Sequence, residues 1–163
     1  MTLLQEILIQ SPKAGMVSYL KAHPQDFSEA IELALSDNQP YAWRAASLLW
    51  SSMEENDPRL IPFISPMVEA LPSKAGGHRR DLLMVLLRMD LPEEAEGILL
   101  DYCVTLWTQE AAIPSLRFTA LRMLMKLAKK YPELSTELVA LTDERYGETL
   151  SEPGRRSLRK MGF

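Results

Sequence analysis

Apolar residues recur at helical spacing along most of the chain. Between 41 and 53, Trp43, Ala46, Leu49, Trp50 and Met53 fall on one face of a helix, the stripe that must be buried against a neighbour. Between 78 and 89, Leu82, Leu83, Val85, Leu86, Leu87 and Met89 cover almost the whole circumference, which predicts a helix enclosed on most sides. Strand signals are nearly absent: no stretch alternates strictly over six residues, and no Asn-Gly or Asp-Gly hairpin turn occurs. The pattern predicts helices at about Leu3–Ile9, Lys13–Lys21, Phe27–Leu35, Tyr41–Met53, Arg59–Leu71, His78–Met89, Glu93–Thr108, Pro114–Lys130, Glu133–Tyr146 and Gly154–Met161.

Local chemistry sets the boundaries. Ser11-Pro12, Asp57-Pro58 and Tyr131-Pro132 put proline at or beside a first helical position, where its missing N–H costs nothing. Glu93, Glu94 and Glu96 follow Pro92 and complement the positive end of a helix dipole, whereas Lys129 and Lys130 close a helix with the opposite charge. Pro62 and Pro66 fall inside a helical pattern, so that helix should be kinked or start late.

The helices also repeat. Second helices open with an arginine ahead of an apolar stretch: Trp43-Arg44-Ala45-Ala46, Arg79-Arg80-Asp81-Leu82, Leu116-Arg117-Phe118-Thr119 and Arg155-Arg156-Ser157-Leu158. Arg44, Arg80, Arg117 and Arg156 are separated by 36, 37 and 39 residues, about the length of two helices and two turns. Four hairpins result, roughly Asp26–Met53, Asp57–Asp90, Glu93–Lys130 and Pro132–Met161. The two short helices before Asp26 would cap the exposed end.

These arginine-led second helices resemble HEAT repeats, in which a basic residue opening the second helix commonly pairs with an acid in the turn. Asp37 stands in that relation to Arg44. Three stretches are also similar to a group of small bacterial HEAT-like proteins: Trp43 to Trp50; Ala120 to Leu127 with Tyr131-Pro132-Glu133-Leu134; and Gly154 to Lys160. The resemblance implies an all-α fold, an α-α superhelix or HEAT/armadillo-like solenoid of about four helical hairpins with an N-terminal helical cap, as a single domain over 1–163. Some proteins of that group carry the name adenylosuccinate lyase. The chain lacks that superfamily's signature loop and is too short for its long central helices, so lyase activity is not expected.

Composition adds exclusions. Over 163 residues, 47% hydrophobic and 25% charged, the chain can bury an ordinary core. One cysteine, Cys103, permits no internal disulfide and no cysteine metal site. No apolar run reaches the ~18 residues of a membrane span, and the first ten residues, with Gln5 and Glu6 and no basic region or cleavage site after them, do not fit a signal peptide. A cytoplasmic protein with no membrane partner is expected; its oligomeric state is left open.

Catalytic constellations are missing. His23 and His78 lack metal-site spacing and read as surface or capping residues, and nothing near Cys103 would activate its thiol. Gly76-Gly77-His78-Arg79-Arg80 opens a helix but has neither the spaced glycines nor the Lys-Ser/Thr pair of a phosphate loop. No catalytic residue, metal or cofactor is assigned.

Charge layout is more informative. Arg44, Arg79, Arg80, Arg88, Arg117, Arg122, Lys126, Lys129, Lys130, Arg155, Arg156, Arg159 and Lys160 fall in second helices, against Asp81 and Asp90. With a net charge of −4 the rest of the chain is strongly acidic. Second helices line the concave side of a HEAT-like stack, so these residues either form a groove for an acidic partner or satisfy internal acids and helix ends. Trp43, Arg44, Arg80, Arg117 and Arg156 are the candidate partner-binding residues. Trp43 and Trp50 read either as core or as an exposed aromatic platform. The expectation is a non-enzymatic interaction module binding an acidic protein segment or another anionic partner. The alternative is a nucleic-acid-binding protein resembling the HEAT-like DNA alkylation-repair glycosylases, for which Trp43, Trp50, Arg80 and Asp81 are the available residues.

Overall fold

The computed structural model describes residues 1–163 as eleven α-helices with no strand. They form two compact units, Met1–Ala95 and Glu96–Phe163.

The first unit contains α1 (Leu3–Gln10), α2 (Lys13–Ala22), α3 (Phe27–Leu35), α4 (Tyr41–Ser52), α5 (Ile64–Ala70) and α6 (Gly76–Leu87). At the start of α1, Thr2 accepts from the Gln5 amide while the Gln5 side chain accepts from that of Thr2, a reciprocal capping box. Helix α4 is the hub and packs against α1, α2, α3 and α6. Its buried face is Ala42, Ala45, Ala46, Leu48 and Leu49, small enough at three positions for neighbouring backbones to approach closely. Trp43 is the exception to the predicted stripe. It is 42% exposed, because the core side of α4 lies one position further round, at Ala42, Ala45 and Ala46.

Pro62 and Pro66 act as the sequence foretold. Pro58–Phe63 is a 3₁₀ stretch and α5 begins only at Ile64. Asp57 caps that stretch, accepting from the amides of Glu54 and Arg59 and from two guanidinium nitrogens of Arg59 at 3.0 and 2.8 Å. The Arg59 guanidinium also lies 3.5 Å over the Phe27 ring, so one side chain links two hairpins. Helix α6 is enclosed as its composition required: Leu82, Leu83, Val85 and Leu86 are fully buried.

The second unit holds all but the first three residues of α7 (Glu93–Thr108), with α8 (Pro114–Lys130), α9 (Ser135–Leu141), α10 (Glu144–Gly147) and α11 (Glu152–Lys160). Where the sequence pattern predicts one helix over Glu133–Tyr146, the chain breaks at Thr142-Asp143. The Thr142 hydroxyl folds back onto the carbonyl of Leu138, and Asp143 caps the new start by accepting from the amide of Arg145. Helix α11 starts earlier than expected because Ser151 caps it and Pro153 fits its first turn. Trp107 is fully buried, edge-on to Phe118, and its indole N–H donates to the carbonyl of Leu141 at 2.7 Å. Cys103 is enclosed as a small apolar residue, and burial pushes its thiol up to about 12.

Candidate functional site

In the first unit, three successive second helices contribute to one basic and aromatic cluster. Helix α4 supplies Trp43, Arg44 and Trp50; α6 supplies Arg80 and Asp81; α2 supplies Lys13. The Trp50 indole N–H donates to Oδ1 of Asp81 at 3.1 Å, and the Arg80 guanidinium donates to the same oxygen at 3.1 and 3.3 Å. The Lys13 ammonium sits over the other part of Trp50, 4.1 Å from the ring centroid. Arg44 packs 5.0 Å from the Trp43 ring and donates through Nη1 to the carbonyl of Leu8 at 2.9 Å, near the end of α1.

Two atoms of this cluster are buried without a hydrogen-bond partner: Nε of Arg44 and Oδ2 of Asp81. Asp81 is wholly enclosed, and burial raises its carboxyl above the usual range even though Arg80 and Trp50 oppose that shift. It holds side chains in place and presents no oxygen to solvent. Lys13, exposed and missed by a reading of arginine-led motifs, is the cation most open to a ligand. No local signal marked it, since its place over Trp50 depends on a residue in another hairpin.

The expected pairing of Asp37 with Arg44 is replaced by another. Lys74, ahead of α6, donates to Asp37 at 2.7 Å and to the carbonyls of Leu35 and Ser36 at 2.9 Å, closing the end of α3. The Lys74 ammonium holds the Asp37 carboxyl below its ordinary range. His78, expected at the surface or as a cap, is buried. Its Nε2 lies 2.6 Å from the carbonyl of Ala34 and must donate there, leaving Nδ1 to accept from the Gln39 amide at 3.2 Å.

The candidate residues of the second unit separate sharply. Arg117 is 3% exposed and is not a groove residue. Its Nε donates to the carbonyl of Trp107 at 2.9 Å, one Nη donates to the Thr149 hydroxyl at 2.9 Å, and its guanidinium stacks 5.0 Å from the Trp107 ring. It stays inside because one face meets an indole and two edges meet acceptors. Arg156 is exposed on α11. Other second-helix cations also have internal partners. Arg88 meets Glu55 and the carbonyl of Trp50; Lys130 meets Glu96; Arg155 and Arg159 meet Glu152. Glu96 is buried, yet the Lys130 ammonium and the Tyr131 hydroxyl outweigh that burial and keep its carboxyl below the usual range.

Helical hairpins whose second helices meet side by side, with turn residues clamped between neighbouring hairpins, define a helical-repeat protein. The HEAT repeat domain matches residues 2–161, and the chain belongs to that family. HEAT repeat domains are helical scaffolds and interaction modules, and this is the class to which the chain's fold assigns it. No curated protein and no solved structure matches it. No helix is long and apolar enough to cross a membrane.

Proposed function

We propose that the protein is a non-enzymatic interaction module that receives an acidic protein segment on the second-helix face of its first unit. The observation that carries this reading is the arrangement around the two tryptophans. Lys13, Arg44 and Arg80 come from three consecutive second helices, and each is positioned by an indole or by a carboxylate held by one. Trp43 adds exposed aromatic surface beside Arg44. Held cations next to flat apolar rings suit a segment that alternates carboxylates with apolar side chains.

The candidate residues thereby sort into Trp43, Arg44 and Arg80, joined by Lys13, as the proposed contact surface. Arg156, on α11 of the second unit, is not assigned to that surface. The nucleic-acid reading uses the same residues, but it needs a carboxylate open to a base, and Asp81 is closed off.

A fluorescently labelled, Glu- and Asp-rich peptide containing leucines should bind the whole protein by anisotropy, with affinity falling as salt rises. Lys13→Glu and Trp43→Ala, both at exposed positions, should weaken binding without lowering the melting temperature. An unaltered affinity in both variants would remove the reading. Tighter, salt-sensitive binding of duplex DNA at this face would replace the acidic segment with nucleic acid.

A further inference from the structure

A cleft of about 490 Å³ opens in the first unit where α2 and α4 end. Its lining includes Lys21, Phe27, Ser52, Glu54, Arg59 and Arg88. Two of these cations are held rigidly from behind. Arg59 is gripped by the buried carboxylate of Asp57 and stacked on Phe27. Arg88 donates through Nη1 to the carbonyl of Trp50 at 2.7 Å and through Nε to Glu55 at 2.6 Å. These contacts use one side of each guanidinium, leaving Nη1 of Arg59 and Nη2 of Arg88 without a protein partner. Lys21 is exposed and makes no ion pair. Arg59 and Arg88 thus bring unused donors on side chains that need little reordering to meet an acceptor, and Lys21 adds a free ammonium to the lining.

We propose that this cleft is an oxyanion site, separate from the tryptophan-lined face, and that it takes a carboxylate group. The planar edge of a fixed guanidinium matches a carboxylate in two-point contact. The surroundings select a single negative charge over a double one. Glu54 stands in the lining, and the negative ends of α2 and α4 converge there, so a phosphate dianion meets more repulsion than a carboxylate does.

The test uses the full chain labelled with ¹⁵N and two end-blocked tripeptides, Ala-Glu-Ala and Ala-Gln-Ala, with inorganic phosphate in parallel. The glutamate peptide should give saturable amide shifts at residues 51–54, the glutamine peptide none, and phosphate weaker shifts. Lys21→Glu should lower the glutamate-peptide affinity at least tenfold with an unchanged spectrum elsewhere. Arg88→Gln, which removes one of the two held guanidiniums, should weaken it as well. Equal response to the two peptides, shifts confined to other residues, or full affinity in both variants would overturn the assignment. Stronger binding of phosphate than of carboxylate would overturn the preference for a single charge.

Discussion

Nζ of Lys74 lies 2.7 Å from a carboxylate oxygen of Asp37 while also donating to the carbonyls of Leu35 and Ser36, so one ammonium closes the end of a helix in the preceding hairpin. Its side chain is 4% exposed whereas that of Asp37 is 90% exposed. The essential contacts are therefore the two carbonyls, with the acid steering the ammonium from the solvent side.

Lys74→Met should destabilise the first unit by about 1–3 kcal/mol, because two carbonyls at the end of α3 lose their donor. Asp37→Asn should cost much less, since an exposed partner can be replaced by water. Urea denaturation of both variants checks the order, which would be reversed if the ion pair itself held the hairpins together.

Arg117 and Arg156 occupy equivalent places in the repeat but should respond oppositely. Arg117→Glu puts an unpaired carboxylate against the Trp107 carbonyl and should cost about 3 kcal/mol or more. Arg156→Glu should leave the melting curve unchanged. Thermal denaturation of the two variants side by side settles the matter. A stable Arg117→Glu protein would mean that this guanidinium is not needed inside.

His78 gives the first unit a pH dependence near neutrality. Burial, aided by the Lys74 ammonium, depresses its pKa below the ordinary 6.5, against the pull of the Ala34 carbonyl, Asp81 and Asp37. The unfolded chain then binds the proton first as pH falls. Stability should be full above about pH 6.5 and decline from there towards the folded pKa. Asp81, with its raised pKa, titrates with the opposite sign and partly offsets the loss. The urea midpoint should fall from pH 7.5 to pH 5.5 in the native protein, and this fall should disappear in His78→Gln, where Asp81 is left to act alone.

Asp57 governs a separate acid limb. The Arg59 guanidinium and two backbone amides hold its carboxyl down at about 2, against the opposing effect of burial. Its stabilising contribution should be complete above about pH 4 and fade as pH falls towards 2. Asp57→Asn should lose about 1–2 kcal/mol at neutral pH and flatten this limb, as measured by acid titration of the helical circular dichroism signal.

The helices were legible because their signals are local. Apolar spacing in 41–53 and 78–89, proline at first-turn positions, and the disruption by Pro62 and Pro66 act through neighbours within a few residues. Each carries its meaning wherever the chain folds. The break at Asp143 is local as well, yet a continuous helical pattern concealed it, since a capping aspartate and a surface aspartate look alike until the backbone turns.

The sites were less legible because their partners are distant. Arg44, Arg80, Arg117 and Arg156 open similar motifs, but only folding brings Thr149 and the Trp107 carbonyl to Arg117 and leaves Arg156 in water. Lys74 displaces Arg44 from Asp37 across 37 residues, and Lys13 reaches Trp50 from another hairpin. The periodicity of the chain was enough to specify a helical repeat. Whether a given cation seals a core or faces a partner was decided by packing, because burying a guanidinium requires acceptors that only the assembled hairpins supply.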